Sequence, residues 1–139
     1  EKIKFGLYKY DGENWLLKST SLNNKTHYDI NSGGIYAVLG EYEKPTIKNI
    51  SPAFDSTYRK KDLKYISFNC FDKLSEVKNN DITIKIDGKK YFYDFIKYRD
   101  LIRAEIDNNL SIGTHNLEII VKDNLNNVKK KTHKFHIVQ

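Results

Sequence analysis

The chain has 139 residues and a formal net charge of +6, enough for one domain of ordinary size or two small ones and too short for a multi-domain enzyme. Hydrophobic residues make up 39%, charged residues 30%, and there are only two prolines, so wholesale disorder, a collagen-like chain and a disulfide-only scaffold are excluded. The positive charge permits attraction to an anionic polymer or surface, but the lysines are scattered and alternate with apolar residues, as on the wet faces of half-exposed strands.

Ile, Tyr, Phe, Val and Thr recur in short bursts while Met is absent, a composition that favours strands. The pairs Asn23-Asn24, Asn79-Asn80, Asn108-Asn109 and Asn126-Asn127 read as turns, because Asn tolerates left-handed backbone and bonds its own main chain. In chain order, Ile3 to Tyr10 alternates, and Asp11-Gly12 turns it into Trp15-Leu16-Leu17. Thr26 to Asn31 reads as a further short strand, and Ser32-Gly33-Gly34 breaks the chain before Ile35 to Leu39. Glu41-Tyr42-Glu43-Lys44-Pro45 is a charged stretch closed by proline, which sets a boundary: a small β unit over 1–44, the end of a preceding domain, and a second unit over 45–139.

In the second unit, Thr46 to Ile50 opens a strand, and Ala53 to Lys64 reads as a polar connection. Ile66, Phe68 and Cys70 share one strand face, which makes the lone cysteine a core residue without a disulfide partner. Leu74 and Val77 are spaced for a single helical turn within Asp72 to Asn80. Ile82, Ile84 and Ile86 lead through Asp87-Gly88 into Tyr91-Phe92-Tyr93 as a hairpin. Phe95 to Tyr98 reads as a bend, and Leu101 to Ile106 alternates again. The last two strands place Leu117, Ile119 and Val121, then Phe135 and Ile137, on inward faces. Short alternating strands punctuated by turns predict an all-β fold, an immunoglobulin-like antiparallel β-sandwich preceded by the small β unit.

The segments Pro45-Thr46-Ile47, Phe71-Asp72, Ile84 to Gly88, Leu110 to His115 and Val121 to Asn127, closing on Phe135-His136-Ile137, carry a resemblance. Residues 45–139 resemble a bacterial Ig-like repeat, as in C-terminal regions of secreted and surface proteins that include some lysostaphin-like metallopeptidases. That outline has a proline-led first strand, a strand ending Asp-Gly, a Leu-x-x-Gly-x-His lead-in and an Asp-x-x-Gly-Asn turn. Here Asn126 stands at the glycine, and Ser75-Glu76-Val77 departs from the usual Ser-Gly-Ile. The resemblance implies a non-catalytic, extracytoplasmic module, secreted or in the cell envelope, belonging to a longer chain whose catalytic domain, if any, lies upstream.

The residues agree with an expectation of no catalytic, cofactor or metal site. His27, His115, His133 and His136 form no His-Glu-x-x-His, and a single cysteine forms no Cys-x-x-Cys. Asp72, Asp87, Asp123 and Asn124 are residue types that calcium takes at strand-connecting loops, but no Asp-x-Asn-x-Asp loop with a terminal glutamate is present, and turn formation accounts for them. Tyr8, Tyr10, Trp15, Tyr28, Tyr91, Tyr93 and Tyr98 read first as cross-strand aromatic pairs, with Trp15 plugging the small N-terminal unit, and in the alternative as exposed rings that could stack on sugars or bases. The candidate ligand surface is therefore Tyr91 and Tyr93 with the run Lys129, Lys130 and Lys131. The sequence thus predicts an interaction or spacer module whose partner is a protein or a cell-wall glycan. The alternatives are a carbohydrate or wall-polymer binding module, or an accessory domain of an upstream peptidase. Neither a nucleic-acid pattern nor a transmembrane run is found.

Overall fold

Strands form where apolar residues occupy every second position, because the pleat sends those side chains to one face. The computed structural model describes residues 2–20, 28–107 and 110–139, and among them the chain forms twelve strands and one short 3-10 turn. The first three, β1 (Lys4–Tyr10), β2 (Trp15–Thr20) and β3 (Ile35–Glu41), make an antiparallel sheet in the order β2-β1-β3. Asp11 builds the β1–β2 loop: its Oδ1 accepts the backbone N–H groups of Glu13 and Asn14 at 2.9 and 2.7 Å. Tyr10 and Trp15 face each other across the hairpin, with ring centroids 5.2 Å apart.

The remaining strands are β4 (Thr46–Ser51), β5 (Thr57–Arg59), β6 (Tyr65–Phe71), β7 (Val77–Ile86), β8 (Lys89–Tyr91), β9 (Asp94–Ile96), β10 (Leu101–Glu105), β11 (Gly113–Asp123) and β12 (Val128–Val138). They form a four-stranded sheet, β4-β6-β10-β9, and a five-stranded sheet, β5-β12-β11-β7-β8. The two sheets enclose one core. Ile66, Phe68, Cys70, Ile102 and Ala104 face it from the first sheet; Ile82, Ile84, Ile86, Leu117, Ile119, Val121, Phe135 and Ile137 face it from the second. The all-β, immunoglobulin-like sandwich with a preceding small β unit is the fold that the alternation predicted. Cys70 is wholly buried, and burial pushes its thiol up to about 12.

The turns follow from the residues at them. Asp87 and Gly88 both have positive φ, 49° and 83°, the backbone of a two-residue hairpin turn that suits the twist of its strands. Asn126 stands at φ 61°, the left-handed position expected of it in place of glycine.

Five local expectations are corrected. Residues 53–64 are not merely a connection, since β5 pairs in parallel with β12 through His136↔Thr57 and Val138↔Arg59. A strand of three residues is too short to show a period in sequence. Residues 72–76 make no helical turn: the Asp72 Oδ1 accepts the N–H groups of Leu74 and Ser75, offering the backbone an alternative to a helix. Asn79-Asn80 lies inside β7, where the register against β11 shifts between Val121 and Asp123, so the pair marks a bulge. Phe95 lies in β9, which pairs with β10, and Lys97–Arg99 forms the 3-10 turn. Residues 28–31 form no strand; the rest of that expected strand, Thr26 and His27, and the turn pairs Asn23-Asn24 and Asn108-Asn109 lie outside the described residues.

Phe68 has no exposed surface and sits between the sheets. Truncating a buried phenylalanine removes its transfer free energy and leaves a cavity, at a cost of about 3–5 kcal/mol. Phe68→Ala should therefore lower the unfolding free energy by that amount in a urea titration, whereas the same truncation at Phe92, which is 95% exposed, should change it by less than about 0.5 kcal/mol.

Candidate functional site

The registers define two ends of the sandwich. At one end lie Thr46, Phe71, Val77, Asp123 and Val128, the starts of β4, β7 and β12 and the ends of β6 and β11. The small sheet sits on this end. Two turns meet there, residues 72–76 and 123–127, and Asn124 joins them: its backbone N–H donates to the Glu76 carbonyl at 3.0 Å and its side-chain amide to the Ser75 carbonyl at 2.8 Å. Lys4 of β1 reaches across to the carbonyl of Asn126.

Beneath these turns three carboxylates converge. Oxygen atoms of Glu41, Asp72 and Asp123 all lie within 4.8 Å of one another. Asp123 has no exposed surface; its Oδ1 and Oδ2 accept the backbone N–H and the side-chain amide of Asn127, each at 2.7 Å. Asp72 directs Oδ1 to its own turn, where it also takes the Ser75 hydroxyl at 3.3 Å. Glu41 ends β3 and is 6% exposed, and its Oε2 has no hydrogen-bond partner among the described residues. The hydroxyl of Tyr8, a residue with no exposed surface, is likewise buried without a partner among the described residues.

Sequence and register explain how Tyr8 gets there. Lys4, Gly6 and Tyr8 share one face of β1 with Glu41, Leu39 and Ala37 on β3. Gly6 leaves that face bare, and the Tyr8 ring lies over it; a Cβ at Gly6 would come within 3.1 Å of Tyr8 Cε2 and 2.5 Å of Leu17 Cδ1.

Packing carboxylates together out of water raises their pKa values, since burial and like charges both oppose ionisation. The Glu41 carboxyl is pushed up to about 7, by burial foremost and then by Asp72 and Asp123, with the Ser75 hydroxyl working the other way. Burial also raises Asp123 despite its bonds from Asn127. Tyr8 rises through burial and the charges of all three acids.

The opposite end carries a different acidic turn. Asp87 accepts the Asn116 N–H at 2.8 Å and the His115 Nδ1–H at 2.7 Å, while His115 Nε2 lies 2.8 Å from the Ser111 carbonyl. His115 is buried against Phe135, with rings 5.5 Å apart. Burial acts to raise the Asp87 carboxyl, but the Asn116 N–H and His115 outweigh it and hold the carboxyl below the usual range. This is a turn clamp: the half-exposed Asp87 carboxylate bonds both to the buried His115 and to the Asn116 backbone.

The structure does not gather the expected ligand surface. Tyr91 is buried in the core at 6% exposure, and Tyr8 is wholly buried, so neither ring can stack on a sugar. Tyr93 spans the β7 bulge: its hydroxyl donates to the Asn79 carbonyl at 2.8 Å and accepts the Ile82 N–H at 3.3 Å. A hydroxyl that satisfies a bulge in this way serves the sheet. Lys129, Lys130 and Lys131 alternate along β12, with two strands, β11 and β7, between them and β8. The pleat separates Lys130, which pairs with Glu118, from its two neighbours. The other two described histidines also face the fold: His133 Nε2 is 2.8 Å from the Pro52 carbonyl, and His136 bonds Thr114 and Asp55; His27 lies outside the described residues.

Of the four residues that suggested calcium in the sequence, Asp72 and Asp123 meet and Asn124 braces their turns, while Asp87 belongs to the far end. Glu41 and Tyr8 had no signal of their own. Glu41 read as part of a charged boundary and Tyr8 as an exposed ring; packing of the small sheet against the sandwich buries both.

No protein-family model and no curated protein matches the chain. Among solved structures it is similar to CopC from Methylosinus trichosporium OB3b, at 12% identity over 67% of this chain and 92% of that one, with a TM-score of 0.54. It is also similar to the endo-beta-1,4-mannanase from Thermotoga petrophila, at 13% identity and a TM-score of 0.55, over 71% of this chain but only 21% of the mannanase. At these identities the likeness is one of fold, a β-sandwich. Among the described residues no helix is long and apolar enough to cross a membrane.

Asp87→Ala should strand the buried His115 Nδ1–H and the Asn116 N–H, costing about 1–3 kcal/mol at neutral pH. Because the folded-state pKa of Asp87 is lowered, its contribution is complete above the ordinary aspartate range and is lost as pH falls through the lowered value. The gap between parent and variant in urea melts should therefore be widest near neutrality and narrow in acid.

Proposed function

We propose that the chain is a non-catalytic, immunoglobulin-like spacer and interaction module of a larger secreted or cell-envelope bacterial protein. The observation that carries this reading is the polarity of the sandwich. The chain enters through β4 at the end covered by the small sheet, and β12 runs from that same end to the opposite one, where Val138 pairs with Arg59. A domain entered at one end and left at the other can be strung between neighbours, and its job is then to set distance and present surface. The resemblance of residues 45–139 to a bacterial Ig-like repeat supports the same reading, with Asp87-Gly88 and Asn126 at the turns the repeat requires. So does the engagement of Asp87, His115, His133 and His136 with groups that brace the fold.

Two measurements test it. The isolated chain, incubated with panels of peptides, glycans and esters, should release no product above a heat-denatured control; turnover that co-purifies with the chain and survives repurification would overturn the non-catalytic reading. Fractionation of the source cells with an antibody to the chain should find it in the envelope or the medium, and recovery from the cytosol alone would overturn the location.

A further inference from the structure

Two features of the junction are unexplained by turn chemistry: three carboxylates that crowd one point, Glu41 and Asp123 buried and Asp72 half-buried, and two buried oxygens, Glu41 Oε2 and the Tyr8 hydroxyl, that have no hydrogen-bond partner among the described residues. A buried polar atom without a partner is rare in a native fold and asks for a missing one. We propose that Glu41, Asp72 and Asp123, with the Tyr8 hydroxyl beside them, bind one calcium ion that ties the N-terminal sheet to the sandwich. The site does not depend on the spacer reading and would hold if the module proved to have some other role.

The donor set selects the ion. All donors are hard oxygens, which suit calcium rather than the softer metals that seek imidazole or thiolate. Two oxygens on opposite sides of a calcium ion, each at about 2.4 Å, stand about 4.8 Å apart, and the carboxylate oxygens here lie within 4.8 Å of one another. Magnesium is smaller and keeps several of its waters, for which a site closed by Tyr8 and Ser75, both without exposed surface, leaves little room. The surroundings also orient the ligands. Asn127 fixes the Asp123 carboxylate through both oxygens, and the Leu74 and Ser75 N–H groups fix Asp72 through Oδ1, which leaves Oδ2 outside those bonds. Such outer bonds hold a carboxylate ready for a metal. A divalent ion would reduce three negative charges to one. Its ligands come from both units, Tyr8 and Glu41 from the small sheet, Asp72 and Asp123 from the sandwich turns, so binding would lock one against the other.

The test uses the whole chain, freed of metal by chelator. Added calcium should raise the melting temperature by an increment that keeps growing with the logarithm of free calcium above Kd, and a direct binding titration should saturate at one ion per chain. Terbium should bind the same site and show tyrosine-sensitised luminescence that excess calcium removes. Glu41→Gln should lose at least tenfold in affinity for both ions, and Tyr8→Phe should lose most of the luminescence. Asp81→Asn, at a surface acid paired with Lys78 and Lys122, should leave both responses unchanged. Should Glu41→Gln not fold, Tyr8→Phe and the parent chain still decide. A melting temperature indifferent to calcium and chelator overturns the proposal. So does a Glu41→Gln variant with the full calcium response, or undiminished luminescence in Tyr8→Phe.

Discussion

The Asp123 carboxylate has no contact with solvent, and the end of the sandwich is organised around it. Taking an ionised carboxylate out of water costs several kcal/mol unless bonds or charges replace the water. Asn127 replaces part of it, closing the turn from β11 to β12 through both its backbone N–H and its amide. That closure aligns the two longest strands, with Phe135 and Ile137 on β12 and Leu117, Ile119 and Val121 on β11 all turned into the core. The Asp72 turn is docked to the Asp123 turn by Asn124, and so links the four-stranded sheet to the five-stranded one. The hydrophobic core supplies the bulk of the driving force, but the polar end determines which strands face each other and where the small sheet can rest.

The two ends of the sandwich use the same residue type for different purposes. Asp87 sits at the edge of water, and its two carboxylate oxygens bond His115 and Asn116; the charge is favoured there and the pKa falls. Asp123 is buried beside two other acids, and there the charge is opposed and the pKa rises. Turn-forming aspartates with the same local role thus differ in electrostatics because of what is packed over them. At the end capped by the small sheet three carboxylates meet, and Glu41 Oε2 among them has no hydrogen-bond partner among the described residues.

The same contrast separates the aromatic residues. Tyr10 and Trp15 cover one another on a hairpin, Tyr93 repairs the β7 bulge, Tyr91 fills core, and Tyr8 is buried over Gly6 where it feels the charges of the three acids. Phe92 and Tyr98 remain outside, at 95% and 83% exposure. Ring count in the sequence therefore overstated the surface available for stacking, since a ring on a strand points to the core or to solvent according to a one-residue change in register.

Period-two patterning was enough to place Ile66, Phe68 and Cys70, Ile82 to Ile86, Leu117 to Val121, and Phe135 with Ile137 on inward faces, because that pattern is a property of each strand by itself. Turn chemistry was equally local, which is why Asp87-Gly88 and Asn126 are legible from the residue types alone. What no window of sequence contains is convergence. Asp72 and Asp123 were visible as turn residues, but Glu41 joins them only because β3 runs beside β1 with Lys4 opposite Glu41, and Tyr8 joins them only because Gly6 has no side chain to block it. β5 is likewise set by its partner, a three-residue segment that becomes a strand by lying along β12. Alternation, turns and core faces were decided within short stretches of chain; the buried acidic junction was decided by packing between segments distant in sequence, where burial changes what the same side chains can do.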